Sequence, residues 1–251
     1  MSNVNEKQCL NCGHTINETY CPNCGQRTNV ERITWGHFAE EVVHTVTHGE
    51  KSILLTTWKL ISKPGQTLSE YLAGKRKKYH SPVGFFLIWV TLAVLAHRGV
   101  IALHGFDPVI LKGFTFSNPE SIEVFTIHGE WFYVLSFPLE AALFYFIIAR
   151  PLYSYIECIV ITMYVFSVSF VFFILCYLIG GFLLKLNVLH WGFYLFQVLL
   201  TMIYSIWAIY DLCKQRVKYL WPRIILHFLS GIIILKFMEC LSDLWVMYFK
   251  H

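Results

Sequence analysis

Charged side chains are scarce in this chain. Only 14% of its 251 residues are Asp, Glu, Lys or Arg, against 56% hydrophobic residues, and the mean hydropathy is +0.52. That balance lies outside the range of soluble globular domains and excludes water as the main solvent of most of the chain. Catalytic signatures are lacking too. There is no Walker-type phosphate loop, no Gly-x-Ser-x-Gly elbow, no His-Glu-x-x-His pair and no set of repeated histidine boxes. These absences argue against a conventional intramembrane hydrolase or oxygenase. Residues Met1 to Gln8 are polar and contain no apolar run, so a cleavable leader is not expected and the N-terminus is expected in the cytoplasm.

What is present divides into three stretches: a head over residues 1–30, an amphipathic segment over 31–82 and a membrane domain over 83–251. Half of the Lys and Arg residues lie before Pro82, so the first two stretches carry the charge that water requires. In the head, Cys9-Leu-Asn-Cys12-Gly13 and Cys21-Pro-Asn-Cys24-Gly25 are two Cys-x-x-Cys pairs. A tight turn lets two thiolates of one pair reach the same ion, and the glycine after the second Cys permits the backbone angles that aim amides at sulfur. Two such knuckles complete a tetrahedral all-thiolate site, for which zinc is the expected ion, one per chain and structural because no coordination position is left open. Two disulfides are the alternative; a reducing cytoplasm argues against them. His14 stands near as a substitute ligand that four thiolates do not need. So short a segment cannot build a hydrophobic core, so metal coordination has to supply its folding energy. Asn11, Asn17 and Glu18 stand where a nucleic-acid ribbon carries a basic, aromatic face, so a protein partner is the expected use of the head. Cys158, Cys176, Cys213 and Cys240 lack ligand spacing and are expected to be small buried packing residues.

The middle segment reads as helices lying at the membrane surface. Thr34 is a cap for a helix to about His48, whose apolar side carries Trp35, Phe38, Val42 and Val46. Its other side places His37, Glu41, His44 and His48 in one stripe, the candidate second polar or metal site; an ordinary polar face explains the stripe equally. Two shorter stretches follow, Ile53 to Ile61, stopped by Lys63-Pro64-Gly65, and Thr67 to Leu72, stopped at Gly74. Lys75, Arg76, Lys77 and Lys78 then precede the first apolar run. They are a candidate contact for anionic lipid and also an ordinary topology signal.

Five segments are apolar enough to span a bilayer: about Val83–Leu103, Trp131–Ala149, Ile156–Gly180, Trp191–Leu212 and Ile224–Phe249. The fold class is therefore all-α membrane protein, with interfacial helices and a small four-cysteine head. His97 and Arg98 interrupt the first run. Lys75 to Lys78, Arg150, Lys214, Arg216, Lys218 and Arg223 fall on one side, which places the N-terminus in the cytoplasm and the C-terminus outside. Glu140, Lys236 and Glu239 fall inside spans, where each charge costs at least about 2.5 kcal/mol near a helix centre. Residue counting puts Glu140 and Lys236 at similar depth. The expectation is that the second and fifth spans touch or that Lys236 and Glu239 satisfy one another.

The order of motifs resembles an uncharacterised family of bacterial integral membrane proteins with a zinc-ribbon head, a domain of unknown function. The residues that carry the resemblance are Cys24-Gly25-Gln26, Arg32-Ile33-Thr34, His48-Gly49-Glu50-Lys51, Thr56 or Thr57, Pro64-Gly65, Tyr71-Leu72-Ala73-Gly74-Lys75-Arg76, Tyr79, Ser81-Pro82, and Arg150 with Tyr155 and Glu157. Members commonly have Asp where Glu50 stands here. The resemblance implies the fold and an inner-membrane location; it implies no reaction. Three functions remain: a non-enzymatic anchor, scaffold or sensor that offers the ribbon to a protein partner; a channel or transporter, including a pore made of several copies, with Glu140, Lys236 and Glu239 on its path; and a lipid-active enzyme using the histidine stripe.

Overall fold

The computed structural model describes residues 7–30, 32–36, 53–104, 118–184 and 191–249. The head contains β1 (Lys7–Gln8) paired antiparallel with β2 (Thr15–Ile16). The helices are α1 (Ile53–Ser62), α2 (Pro64–Leu72), α3 (Pro82–His104), α4 (Pro119–Phe144), α5 (Tyr155–Cys176), α6 (Trp191–Cys213) and α7 (Leu220–Phe249). A π-helical turn continues α4 over Tyr145–Ala149, and a second continues α5 over Tyr177–Leu183.

Among the described residues, four helices are long and apolar enough to cross a membrane: Pro82–Val100, Tyr155–Gly181, Leu195–Cys213 and Leu220–Tyr248. Val134–Ala149, the apolar part of α4 and its π turn, is shorter. The helix that holds it begins at Pro119, far ahead of the Trp131 expected from hydropathy, because Asn118 caps it by accepting the Glu120 amide at 3.0 Å and Pro119 fits the first helical turn. The first span runs straight through His97 and Arg98 to His104. His97 lies 3.1 Å from the Tyr177 hydroxyl and stacks on its ring, so a polar side chain inside the run finds a partner on the α5 extension.

The central element is α5. Of its most apolar stretch 61% is buried, against 22–39% for the other three spans, and α3, α4 and α6 pack around it. Ser154 starts it with a capping box: its hydroxyl accepts the Glu157 amide at 3.3 Å while the Glu157 carboxylate accepts the Ser154 amide at 2.8 Å. Inside the helix, Thr162 and Ser167 donate their hydroxyls to the carbonyls of Cys158 and Met163, at 2.8 and 2.6 Å, which hides both polar groups in an apolar setting. α4 and α7 form the second close pair.

The two short helices ahead of the first span pack one face into the helical body. Thr56, Leu60, Leu68 and Tyr71 are buried, and Leu60, Leu68 and Tyr71 belong to the main core. Polar bonds explain why α1 and α2 are drawn in. Thr56 Oγ1 accepts the His80 amide at 2.9 Å, and the Tyr204 hydroxyl donates to the Leu60 carbonyl at 3.2 Å. Asp211 accepts the Gly65 amide at 2.9 Å, and a Cβ at Gly65 would lie 2.5 Å from the Asp211 carbonyl carbon. Pro64 is therefore the first residue of α2 as well as the stop for α1. Leu54 and Trp58 stay exposed on the other face of α1. Cys158 and Cys213 are fully buried as expected, whereas Cys176 is half-buried and Cys240 is exposed.

Candidate metal centre and the contacts beneath it

The two knuckles repeat each other bond for bond. The Cys9 amide donates to the His14 carbonyl at 2.9 Å and the Cys21 amide to that of Gln26 at 2.8 Å. Gly13 and Gly25 each donate at 2.8 Å to the carbonyl of the Cys four residues earlier. Both turns close only because these glycines take φ of +74° and +70°. The result brings Cys9, Cys12, Cys21 and Cys24 together, with all four sulfurs within 4.8 Å of one another. Cys9 to Cys24 and Cys12 to Cys21 are each 3.6 Å, too long for covalent bonds, and all four cysteines are free. Sulfurs about 2.3 Å from a central zinc in a tetrahedron lie about 3.8 Å apart, so the donor set fits such an ion. The protonation of the bare thiols is uneven: hydrogen bonds from the His14 backbone and the Asn23 side chain lower Cys12 to about 6, whereas burial raises Cys24 to about 11. A cation at the centre removes that conflict, because coordinated thiols are held as thiolates.

The four-cysteine head is seated on the helices. Gln26 is 5% exposed; its side-chain nitrogen donates to the Gly74 carbonyl at 3.0 Å, and its oxygen accepts the amides of Arg76 and Lys77 at 3.2 and 3.1 Å. Gly74, at φ +104°, leaves room for Leu10 and Val30 of the head, which would stand 2.9 and 3.2 Å from a Cβ there. Beyond the head, Arg32 makes a two-pronged bond to Glu157, Nε to Oε1 and Nη2 to Oε2, both 2.9 Å, and Nη2 also reaches the Leu152 carbonyl at 3.3 Å. Glu157 holds Arg32 firmly protonated, by that hydrogen bond first and by charge second. Ile33 enters the main core and Trp35 meets Tyr155, with ring centres 6.1 Å apart.

The candidate lipid-contact residues sit in this same turn. Lys78 and Lys75 pair with Glu70 at 2.8 and 3.5 Å, and the Tyr79 hydroxyl donates to Glu70 at 2.6 Å. Bonds from Lys78 and then Tyr79 lower Glu70 to about 2. Lys77 is exposed and Arg76 half-buried.

The second and fifth expected spans touch, as α4 and α7, and Lys236 and Glu239 satisfy one another, both as expected; the shared depth of Glu140 and Lys236 does not hold. Glu140 meets His227, Oε1 to Nε2 at 3.1 Å, rather than Lys236. Lys236 lies nine residues, about 14 Å, further along α7 and pairs with Glu239 at 2.5 Å. The depth estimate fails because α4 begins at Pro119, twelve residues ahead of the expected Trp131, so Glu140 stands 21 residues from that end of α4 and level with His227, 22 residues from the adjoining end of α7. Phe144 and Phe228 stand edge-on to the His227 ring, and among the described residues no partner meets His227 Nδ1. Lys236, Glu239, Cys240 and Asp243 line an open groove of about 320 Å³ beside Ser121, which donates to Asp243. His37, Glu41, His44 and His48 lie outside the described residues.

Four residues carry contacts that the sequence did not single out as site residues. Gln26, Arg32 and Glu157 sat among the resemblance motifs without a role, and His227 carried a signal of its own as a titratable residue inside an apolar run.

Fold and site together define a helical protein of multi-pass membrane type with a four-cysteine head docked on its helices. Residues 50–94 match the profile of a family described as Protein of unknown function (DUF3667). That stretch spans α1, α2, the basic turn and the first half of α3, the part on which the head is seated. No curated protein and no solved structure matches the chain.

Proposed function

We propose that the chain is a non-enzymatic anchor, scaffold or sensor of the bacterial inner membrane, with one structural zinc in a cytoplasmic ribbon that engages a protein partner. The observation that carries this reading is the closed set of four sulfurs held on a seated ribbon. Four thiolates complete the shell of a zinc ion, leave no position for substrate and fix the shape of the surface around it. The basic side chains at the ribbon end of the helices, Lys75 to Lys78, Arg150 and Arg216 among them, support a cytoplasmic placement of that end and contact with anionic lipid. Affinity capture from membranes with the full chain and with Cys21→Ser tests the reading. Partners recovered with the wild-type chain are expected to be lost with the variant, and equal recovery with both overturns the reading.

A channel or transporter is the second reading, and the pair of half-buried Glu140 and buried His227 between α4 and α7 is the observation that favours it. Carboxylate and imidazole pairs inside membrane helices are common parts of ion and proton paths. Flux in liposomes that persists in the Glu140→Gln, His227→Gln double variant removes this reading.

A further inference from the structure

We infer that the ribbon is a metal-dependent strap, and that metal occupancy at the four cysteines sets the order of two helix ends, the Gly74–His80 turn and the start of the central span α5. The inference rests on the metal reading above and adds what the metal controls.

The head's buried cluster consists of Cys9, Ile16 and Cys21, with Cys24 packed against it. Three of its four members are ligands, so the ion is the core of the head, and its removal leaves one isoleucine to hold the fold. Gln26 transmits that dependence. Its main-chain carbonyl accepts the Cys21 amide and closes the second knuckle, while its side chain makes three bonds to the turn from Gly74 to Lys77. A knuckle that opens therefore withdraws the Gln26 side chain from the Arg76 and Lys77 amides and from the Gly74 carbonyl.

Arg32 is the second seat, eight residues after Cys24. Its own side chain is 67% exposed, and a pair between two such groups is worth little. Glu157 is different: its side chain is 4% exposed, and its two oxygens receive Arg32 together with the Ser154 amide. When Arg32 leaves, a buried carboxylate loses its counter-ion, and the same carboxylate is half of the capping box that starts α5. Disorder at the ribbon thus reaches the first turn of the helix around which the other spans pack. Val30 against Gly74, between the two seats, and Ile33 in the main core, just past the second, keep the strap on its course.

Hydrogen exchange of the full chain in nanodiscs, with bound metal counted in the same samples, tests this. Stripping the metal from wild type is expected to speed exchange in residues 74–80 and 152–158 by roughly tenfold or more, and zinc is expected to restore it. With metal bound, Gln26→Ala is expected to exchange fast at 74–80 alone and Arg32→Met at 152–158 alone, and each then responds little to stripping. Faster exchange confined to residues 9–27 after stripping overturns the strap while leaving the metal reading intact. A chain that holds no zinc even after reconstitution overturns both.

Discussion

Gly74 shows how one absent methyl group seats the head. Its φ of +104° lies where only glycine is unstrained, and the space a Cβ would take is occupied by Leu10 and Val30. Gly74→Ala is expected to lower stability by about 1–3 kcal/mol and to loosen the head before the helices. Thermal unfolding, followed together with metal release, checks this. Gly65→Ala is the informative contrast. At Gly65 the obstacle is the backbone of α6 at 2.5 Å, which cannot swing aside as a leucine side chain can. That variant is expected to disrupt the packing of α2 on α6 and to reduce the yield of folded protein, measured as the monodisperse fraction after purification. Residue-level features of the head were legible because they are local: the spacing of Cys9, Cys12, Cys21 and Cys24 and the glycines after Cys12 and Cys24 dictate both knuckles. The seats were not, since Gln26 pairs 48–51 residues away and Arg32 pairs 125 residues away, distances over which spacing carries no information.

At the scale of elements, α2 and the basic turn form a unit around Glu70. Its carboxyl is held at about 2, below the ordinary 4.5, by Lys78 first and Tyr79 second. A depressed carboxylate stabilises the folded form fully above the unfolded value, near pH 4.5, and loses that contribution as pH falls through about 2. Because Lys75 and Lys78 are more than a third exposed, water screens both pairs, and the contribution is on the order of 1 kcal/mol. Glu70→Gln is therefore expected to melt lower than wild type at pH 6, with the gap closing between pH 4.5 and 2; a gap independent of pH counts against the assignment. Hydropathy showed the spans because apolar length is a property of each segment alone. It missed the burial of α1 and α2, whose pattern of one apolar and one polar face is the same on a lipid surface and on a protein surface. Thr56, Gly65 and Asp211 settle the matter through bonds between elements, which no periodicity encodes.

The whole molecule consists of a central span with α3, α4 and α6 around it, and α7 held to α4 at the edge. Much of α7 is exposed and apolar, as lipid contact requires, yet its buried side carries His227 against Glu140. If this pair is a structural link, its value lies in satisfaction of each partner by the other. Loss of one partner then strands the other among Phe144 and Phe228, at a cost of about 2–4 kcal/mol, while replacement of both by leucine comes back to within about 1 kcal/mol of wild type. If the pair lies on a path for ions or protons, the double leucine variant is equally stable but passes nothing. Unfolding of Glu140→Leu, His227→Leu and the double variant in the same detergent, alongside flux in liposomes, separates the two. The anchor reading expects destabilised single variants, a restored double variant and no flux difference from wild type. A restored double variant that abolishes a wild-type flux transfers the function from the ribbon to the α4–α7 interface.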